Sequence, residues 1–500
     1  MREYALVALL MIFTVLSRTL FLYDLPYRVD GDAARFGIDG IQYLISKPPF
    51  FSTGWEAHTN AYIYLVGYVL HFFENDVVGI RALSALGGIL GVLATYLMAR
   101  DLFGKKVALW SAFFLSISPF HLVFSRNGME VVWVTFFAPI SMFFLFRNKW
   151  YFALIAGMFA GLAQYFTPIS RYIPVMTIMY FGFLLFINRI GCKRTLLLLF
   201  AWGAGFGAVY APMISHYIQH PSTYWARVDR VSIFSSEWFN DQIKKEGVYH
   251  AYASQFYNSY LAFHLPVSTL YPSWYFRTPL LDKIPIIILT IGLVTGVVRS
   301  VRWQFQWLIL TVLVGIFFAG VLTVHSPMAS RYTILFPFIA CFIGVGMMVF
   351  QGYLNKIVKK YLSIIVTCIV FGIAAAQVNS YYIHETKDTW IHDQNSHVAT
   401  YAGRYLSTVK EDYNIYFVGT DYIHYQAVRT LPFLTKRDGV DIFAAVDDTI
   451  NSLDHTKRNF FIVVPSRESE LPVLQAAFPN SKTTEFHNPL GTFLFWLVEV

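Results

Sequence analysis

The sequence predicts an all-α polytopic membrane protein of about 11 transmembrane helices, with a small soluble α/β domain at its C-terminal end. Three observations predict it. The 500 residues are 56% hydrophobic and only 14% charged, whereas soluble globular chains carry about 25% charge. Long apolar runs recur up to residue 378 with basic residues gathered between them. Beyond that point the runs shorten to strand length.

A helix crossing a bilayer needs about 20 mostly apolar residues. Runs of this kind fall near 4–22, 77–99, 107–124, 130–146, 151–168, 172–188, 195–217, 284–298, 305–324, 332–350 and 361–378. The first sits where a signal peptide would, but no small-residue cleavage site follows it and Ser17-Arg18 interrupts its end. It is read as an uncleaved first span. Arg2, Arg100, Lys105, Lys106, Arg147, Lys149, Arg189, Lys193, Arg194, Arg299, Arg302, Lys356, Lys359 and Lys360 fall in alternate gaps. The short gaps on the other side hold one basic residue each: Arg126, Arg171 and Arg331. The positive-inside rule puts the first set and the N-terminus in the cytoplasm and the C-terminal domain outside, in a multi-pass protein of the plasma (inner) membrane. Topology thus accounts for the net charge of +8, and nucleic acid is not expected as a partner.

This topology leaves 23–76, 218–283 and 380–500 outside, the first two as loops of a transmembrane domain 1–379. Ala61 to Phe73 is too short to span and reads as an interfacial helix. The second loop is aromatic, as in Tyr271-Pro272-Ser273-Trp274-Tyr275-Phe276, and reads as a cap on the membrane. In 380–500, Ile415–Val418, Phe460–Val464 and Phe493–Val498 read as strands, and Ser469–Phe478 as a helix with Pro472 in its first turn. Gly87/Gly91, Gly157/Gly161 and Gly203/Gly207 are small-residue pairs suited to close helix packing. Cys192, Cys341 and Cys368 make neither a metal spacing nor a disulfide framework.

The outward face collects Asp30, Asp32, Arg35, Asp39, Glu56, His58, Arg126, Glu130, Arg171, His325 and Arg331. Ionisable groups beside membrane helices cost free energy unless they are paired or do chemistry. Arginines match phosphate oxygens bidentately, and a carboxylate can take a proton from an attacking acceptor. Bland readings stand beside these. Asp32 and Arg35 are placed to pair on one helix face, and Asp30 or Asp32 can cap a helix. Arg126 and Glu130 have the spacing of a structural ion pair. Arg171 and Arg331 can be snorkelling anchors. His325 has no second ligand at metal spacing, and no Walker A sequence is present, so no cofactor or metal is called for.

Four segments together resemble integral-membrane glycosyltransferases of the GT-C superfold, in the branch of protein O-mannosyltransferases and lipid A aminoarabinose transferases. They are Asp32-Ala33-Ala34-Arg35-Phe36-Gly37; Ser118-Pro119-Phe120-His121-Leu122-Val123-Phe124-Ser125-Arg126 with Glu130; Gly161-Leu162-Ala163-Gln164-Tyr165-Phe166 with Arg171 and Pro174; and Arg331-Tyr332 with Pro337. The match covers residues 1–350 and is looser beyond. The resemblance implies a polyprenyl-phosphate-linked sugar donor, an acceptor that is a protein, lipid or glycan, and work at the bilayer face away from the cytoplasm. It makes Asp32 the acidic residue of the first outer loop, the general base or acceptor-orienting group, with Asp30 as its alternative, and Glu130 the acidic residue of the second. Arg331, Arg171 and Arg126 would hold the donor phosphate. Arg35, Glu56, His58, His325 and Tyr332 would line the substrate pocket. The family often has Asp-Glu where this chain has Asp32-Ala33. A flippase or transporter of lipid-linked sugars and a ligase of whole lipid-linked glycans are the rival readings.

Overall fold

A computed structural model describes residues 2–265, 279–357, 362–385, 394–425, 428–451, 453–454 and 456–500. The aromatic run Tyr271 to Phe276 lies outside the described residues. The chain forms two compact units: 1–22, 46–65 and 81–385 in one, and 23–45, 66–80 and 386–500 in the other.

The helices in chain order are α1 (Arg2–Thr19), α2 (Gly31–Ser46), α3 (Asn60–His71), α4 (Asp76–Phe103), α5 (Lys105–Ile117), α6 (Pro119–Arg126), α7 (Val134–Leu145), α8 (Trp150–Ala163), α9 (Tyr172–Phe186) and α10 (Cys192–Gln219). They continue as α11 (Pro221–Val231), α12 (Glu237–Glu246), α13 (Val248–Leu261), α14 (Lys283–Val298), α15 (Trp303–Ile316), α16 (Ala329–Tyr332), α17 (Phe336–Ile357), α18 (Leu362–Asn379) and α19 (Gln394–Leu406).

Every apolar run of the sequence carries a helix, but the count of about 11 spans is not borne out. Among the described residues five helices are long and apolar enough to cross a membrane: Asp76–Phe103, Pro168–Phe186, Cys192–Gln219, Trp303–Val321 and Ala329–Lys356. A sixth arises if α5 and α6, bent by 59°, make one broken span. The break follows from Pro119, which holds Ser118 extended and opens α6 under a Ser118 cap. Glu130–Leu145, Trp150–Ala163 and Lys283–Val298 are apolar but shorter.

Glycines let helices of the first unit approach closely. A Cβ on Gly157 would lie 2.0 Å from the Trp202 carbonyl oxygen, and one on Gly205 would lie 2.1 Å from that of Leu154, so α8 and α10 touch backbone to backbone. The sequence pairing of Gly203 with Gly207 is wrong here: both face open space, and Gly205 makes the contact.

In the second unit, β1 (Tyr413–Val418), β2 (Gly439–Ile442), β3 (Arg458–Val463), β4 (Lys482–His487) and β5 (Phe493–Glu499) form one sheet in the order β2-β1-β3-β5-β4. β1 runs parallel to β2 and β3, while β5 runs antiparallel to β3 and β4. Ile415, Phe417, Phe460 and Ile462 pack on one face with Val398, Ala402 and Leu406 of α19. Tyr416, Val418, Phe461 and Val463 pack on the other with Leu471 and Leu474. Burial on both faces explains why these strands read as unbroken apolar runs.

Candidate active site

Asp30, Asp32 and Asp39 of the first loop belong to the second unit. The Asp30 carboxylate (Oδ1) accepts the backbone N–H of Asp32 at 3.0 Å and of Ala33 at 3.1 Å, so Asp30 caps α2. Its Oδ2 lies 3.6 Å from the buried Arg28 guanidinium. Asp32 sits partly exposed in the first helical turn, where the helix dipole favours a negative charge. Arg35 pairs with Asp39 at 2.8 Å rather than with Asp32.

The chain entering this helix is fixed from far away in sequence. The Val29 N–H donates to the Thr400 hydroxyl at 3.0 Å, and the Thr430 hydroxyl donates to the Val29 carbonyl at 3.0 Å. Arg404 lies over the rings of Tyr23 and Tyr27, at 4.3 and 4.2 Å, and donates to both carbonyls. A Cβ on Gly37 would lie 2.3 Å from the Phe433 ring, so only glycine lets α2 approach.

The other candidates belong to the first unit. Gly128, at φ +87°, turns the chain between α6 and a 3₁₀ turn, Glu130–Trp133. Glu130 is thereby buried, with 3% of its surface exposed. Its Oε1 lies 3.1 Å from His58 Nε2 and accepts from the Thr167 hydroxyl at 3.4 Å. Its Oε2 is buried without a hydrogen-bond partner among the described residues. His58 Nδ1 lies 3.1 Å from the Trp55 carbonyl oxygen. Both ring nitrogens thus face oxygen atoms, which fixes the plane of the imidazole.

His58 also lines a narrow crevice with Gln164, Thr167, Arg171, Tyr210 and Tyr217. Arg171 donates to the Tyr224 carbonyl at 3.1 Å and lies over the Tyr224 ring at 4.2 Å. Glu56 does not face the crevice as a lone acid. Arg227 holds it at 2.8 Å and Arg230 also pairs with it, both from α11. Glu56 and Ala57 adopt left-handed backbone conformations, at φ +54° and +58°, which cost roughly 1–2 kcal/mol per residue outside glycine.

Arg126 is fully buried. It donates to the backbone carbonyls of Ser17, Leu20 and Phe21 and lies over the rings of Tyr381 and Tyr382. It makes no ion pair with Glu130: the shared helix that the spacing suggested ends at Arg126. Arg331 donates to the Val324 carbonyl. Tyr332 is buried, its hydroxyl donating to the Ser259 carbonyl at 3.1 Å with Ser326 Oγ at 3.3 Å. His325 is half-buried at φ +54° against Trp238; burial and the nearby Arg331 cation lower its pKa. Among the described residues no three His, Cys, Asp or Glu side chains converge as metal ligands do.

Sequence reasoning missed Arg227 and Arg230, Thr167, and the Thr400–Thr430 clasp. The arginine pair carried a signal, since two arginines three apart in an outer loop run against the charge bias. The threonines carried none: Thr400 and Thr430 bond the backbone of Val29 hundreds of residues away, and Thr167 meets the Glu130 carboxylate only in the fold.

Residues 57–216 match the family model of dolichyl-phosphate-mannose-protein mannosyltransferase. Among solved structures, ArnT from Cupriavidus metallidurans bound to undecaprenyl phosphate superposes with a TM-score of 0.56 at 12% identity, covering 99% of this chain and 97% of that one. The oligosaccharyltransferase of Archaeoglobus fulgidus, in complex with zinc and sulfate, gives 0.55 at 13% identity, covering 98% and 72%. No curated protein matches by sequence. The resemblance to GT-C glycosyltransferases read from the sequence is borne out by this match and by the shared fold.

Proposed function

We propose that the chain is a glycosyltransferase of the plasma (inner) membrane that moves one sugar from a polyprenyl-phosphate donor to an acceptor on the extracytoplasmic side. The carrying observation is the crevice: its lining residues, all but Tyr217, fall inside the segment 57–216 that matches the mannosyltransferase model, and they join a cation to an aromatic wall. That ArnT of C. metallidurans was solved with undecaprenyl phosphate supports a polyprenyl carrier. In this reading the eleven apolar runs all enter the membrane, the shorter helices as tilted or broken spans, with the N-terminus cytoplasmic and the C-terminal unit outside.

The acceptor oxygen attacks the anomeric carbon while Asp32 takes its proton. The carbon–oxygen bond to phosphate breaks and its electron pair leaves with the polyprenyl phosphate. A single displacement of this kind inverts the anomeric configuration. Asp32 is preferred to Asp30 because it is partly exposed to an incoming acceptor, whereas Asp30 is buried as the helix cap. Arg171 and Arg331 stabilise the developing phosphate charge. Arg126 is left out, since its guanidinium is spent on backbone carbonyls. Arginines supply the needed charge without a metal, so transfer should survive EDTA.

The test is sugar transfer from radiolabelled polyprenyl-phosphate monosaccharides by purified protein with crude acceptor extract. Transfer by wild type but not by Asp32→Asn supports the reading. The comparable superposition on the A. fulgidus oligosaccharyltransferase favours one alternative, a ligase of longer lipid-linked glycans. Transfer from an oligosaccharide donor and from no monosaccharide donor would select it.

A further inference from the structure

The ion pairs of Glu56 are the feature that the proposed chemistry leaves unused. Glu56 precedes the crevice residues Ala57, His58 and Thr59 directly. Its two partners, Arg227 and Arg230, project from α11, which also carries Tyr224. Tyr224 covers Arg171 and packs edge-on against Tyr217, both of which line the crevice. One crevice wall is therefore the 55–59 turn and the flank is α11, with the Glu56 pairs joining them. Arg227 also lies within electrostatic range of Arg331. Cations outnumber carboxylates here, and Arg230 remains two-thirds exposed while paired. Two guanidinium forks directed at one carboxylate have the geometry that a phosphate group takes.

We propose that Arg227 and Arg230 form a phosphate site for the lipid-linked donor, and that Glu56 is a built-in anion that the donor phosphate displaces. Displacement releases the strained Glu56-Ala57 turn from α11 and opens the crevice on that side. The device works as a latch: with no donor Glu56 occupies both arginines and the wall is closed, and a phosphate both takes its place and undoes the closure. The inference rests on the transferase reading and adds to it the residues that receive the phosphate.

The latch predicts a sign that a structural ion pair does not. Removing Glu56 removes a competitor, so Glu56→Gln should bind phosphate more tightly, about two- to tenfold, the range expected for one partly exposed ion pair. Arg227→Gln with Arg230→Gln should weaken it. Binding is measured in detergent by titration with undecaprenyl phosphate, with inorganic phosphate, and with undecaprenol as the phosphate-free control. A thermal melt of each variant checks folding. Tighter binding of both phosphates by Glu56→Gln, with undecaprenol unchanged, supports the latch. Unchanged or weaker binding by folded Glu56→Gln, while wild type binds undecaprenyl phosphate, overturns the latch and leaves the transferase reading standing. A gain for inorganic phosphate alone keeps the anion site and removes its assignment to a lipid donor. Binding of neither phosphate by any form overturns the latch and the donor assignment together.

Discussion

Asp32 and Glu130 are both acids at the start of a helical segment on the same side of the charge pattern, yet they are held in opposite ways. Asp32 is partly exposed, and its position depends on backbone clasps to Thr400 and Thr430. Glu130 is buried and held by side chains, His58 and Thr167. A group that must exchange a proton with an incoming acceptor needs access, which Asp32 has. A buried acid fixed at one oxygen is suited to holding its neighbours in place. The comparison teaches that acidity at a helix start does not settle a role; the surroundings do.

The largest effect should come from breaking the comparison on the Asp32 side. Asp32→Asn should lower kcat by ~10²–10⁴-fold with donor binding intact. Asp30→Ala should act mainly through the helix cap, costing about 0.5–2 kcal/mol of stability, while Asp30→Asn keeps an oxygen that can cap α2. If Asp30→Asn abolished transfer while folded and Asp32→Asn did not, the roles would be reversed.

Next come the clasps. Thr400→Val leaves the buried Val29 N–H without its acceptor, a cost of about 1–3 kcal/mol. Misplacing Asp32 by even an ångström should cost on the order of 10- to 100-fold in kcat. The expected signature is a fall in kcat with undecaprenyl phosphate affinity unchanged. A fall in affinity instead would place the clasp on the donor side.

On the Glu130 side, Glu130→Gln and His58→Gln should not be additive, because each leaves the other's partner unsatisfied. A double-mutant cycle on thermal stability should give a coupling of about 0.5–3 kcal/mol. A coupling near zero would mean that the 3.1 Å contact does no energetic work.

The same contrast explains what was legible in the sequence. The apolar runs and their order were legible because hydropathy reports burial residue by residue. Their lengths were less so: Pro119 broke one run in two, and the run expected to start as helix at Glu130 opens as a 3₁₀ turn. β1, β3 and β5 were read because both sheet faces are buried, whereas β2 and β4 were missed. Those two lie at the sheet edges, and β4 (Lys482–His487) is half-exposed and polar. Asp32, Glu130, His58 and Arg171 stood out as charges in apolar surroundings. Their partners did not, because Thr400, Thr430 and Thr167 are ordinary residues until the fold brings them to a backbone group or a carboxylate. Arg35 was assigned the wrong carboxylate because Asp32 and Asp39 are both at helical spacing from it and sequence cannot choose between them.

The smallest effects should separate the two units by pH. In the first unit, burial and the Arg331 cation lower the pKa of His325 from 6.5. The unfolded chain then binds a proton that the folded one resists, so this contribution is present above pH 6.5 and is lost as pH falls below it. In the second unit, Lys457 and Arg437 hydrogen-bond Asp412 and hold its pKa at about 2, below the ordinary 3.8. Its contribution is present above pH 3.8 and is lost only as pH falls toward 2. Hydrogen exchange followed peptide by peptide between pH 7 and 3 should show the regions around His325 loosening first. His325→Gln should flatten that early change and leave the peptides around Asp412 untouched. Asp412→Asn should alter only the acid end, and added salt should shrink its effect because the pair is exposed. Loosening of both regions together, in wild type and in both variants, would show that the two units unfold as one and that the separation drawn between Asp32 and Glu130 has no counterpart in stability.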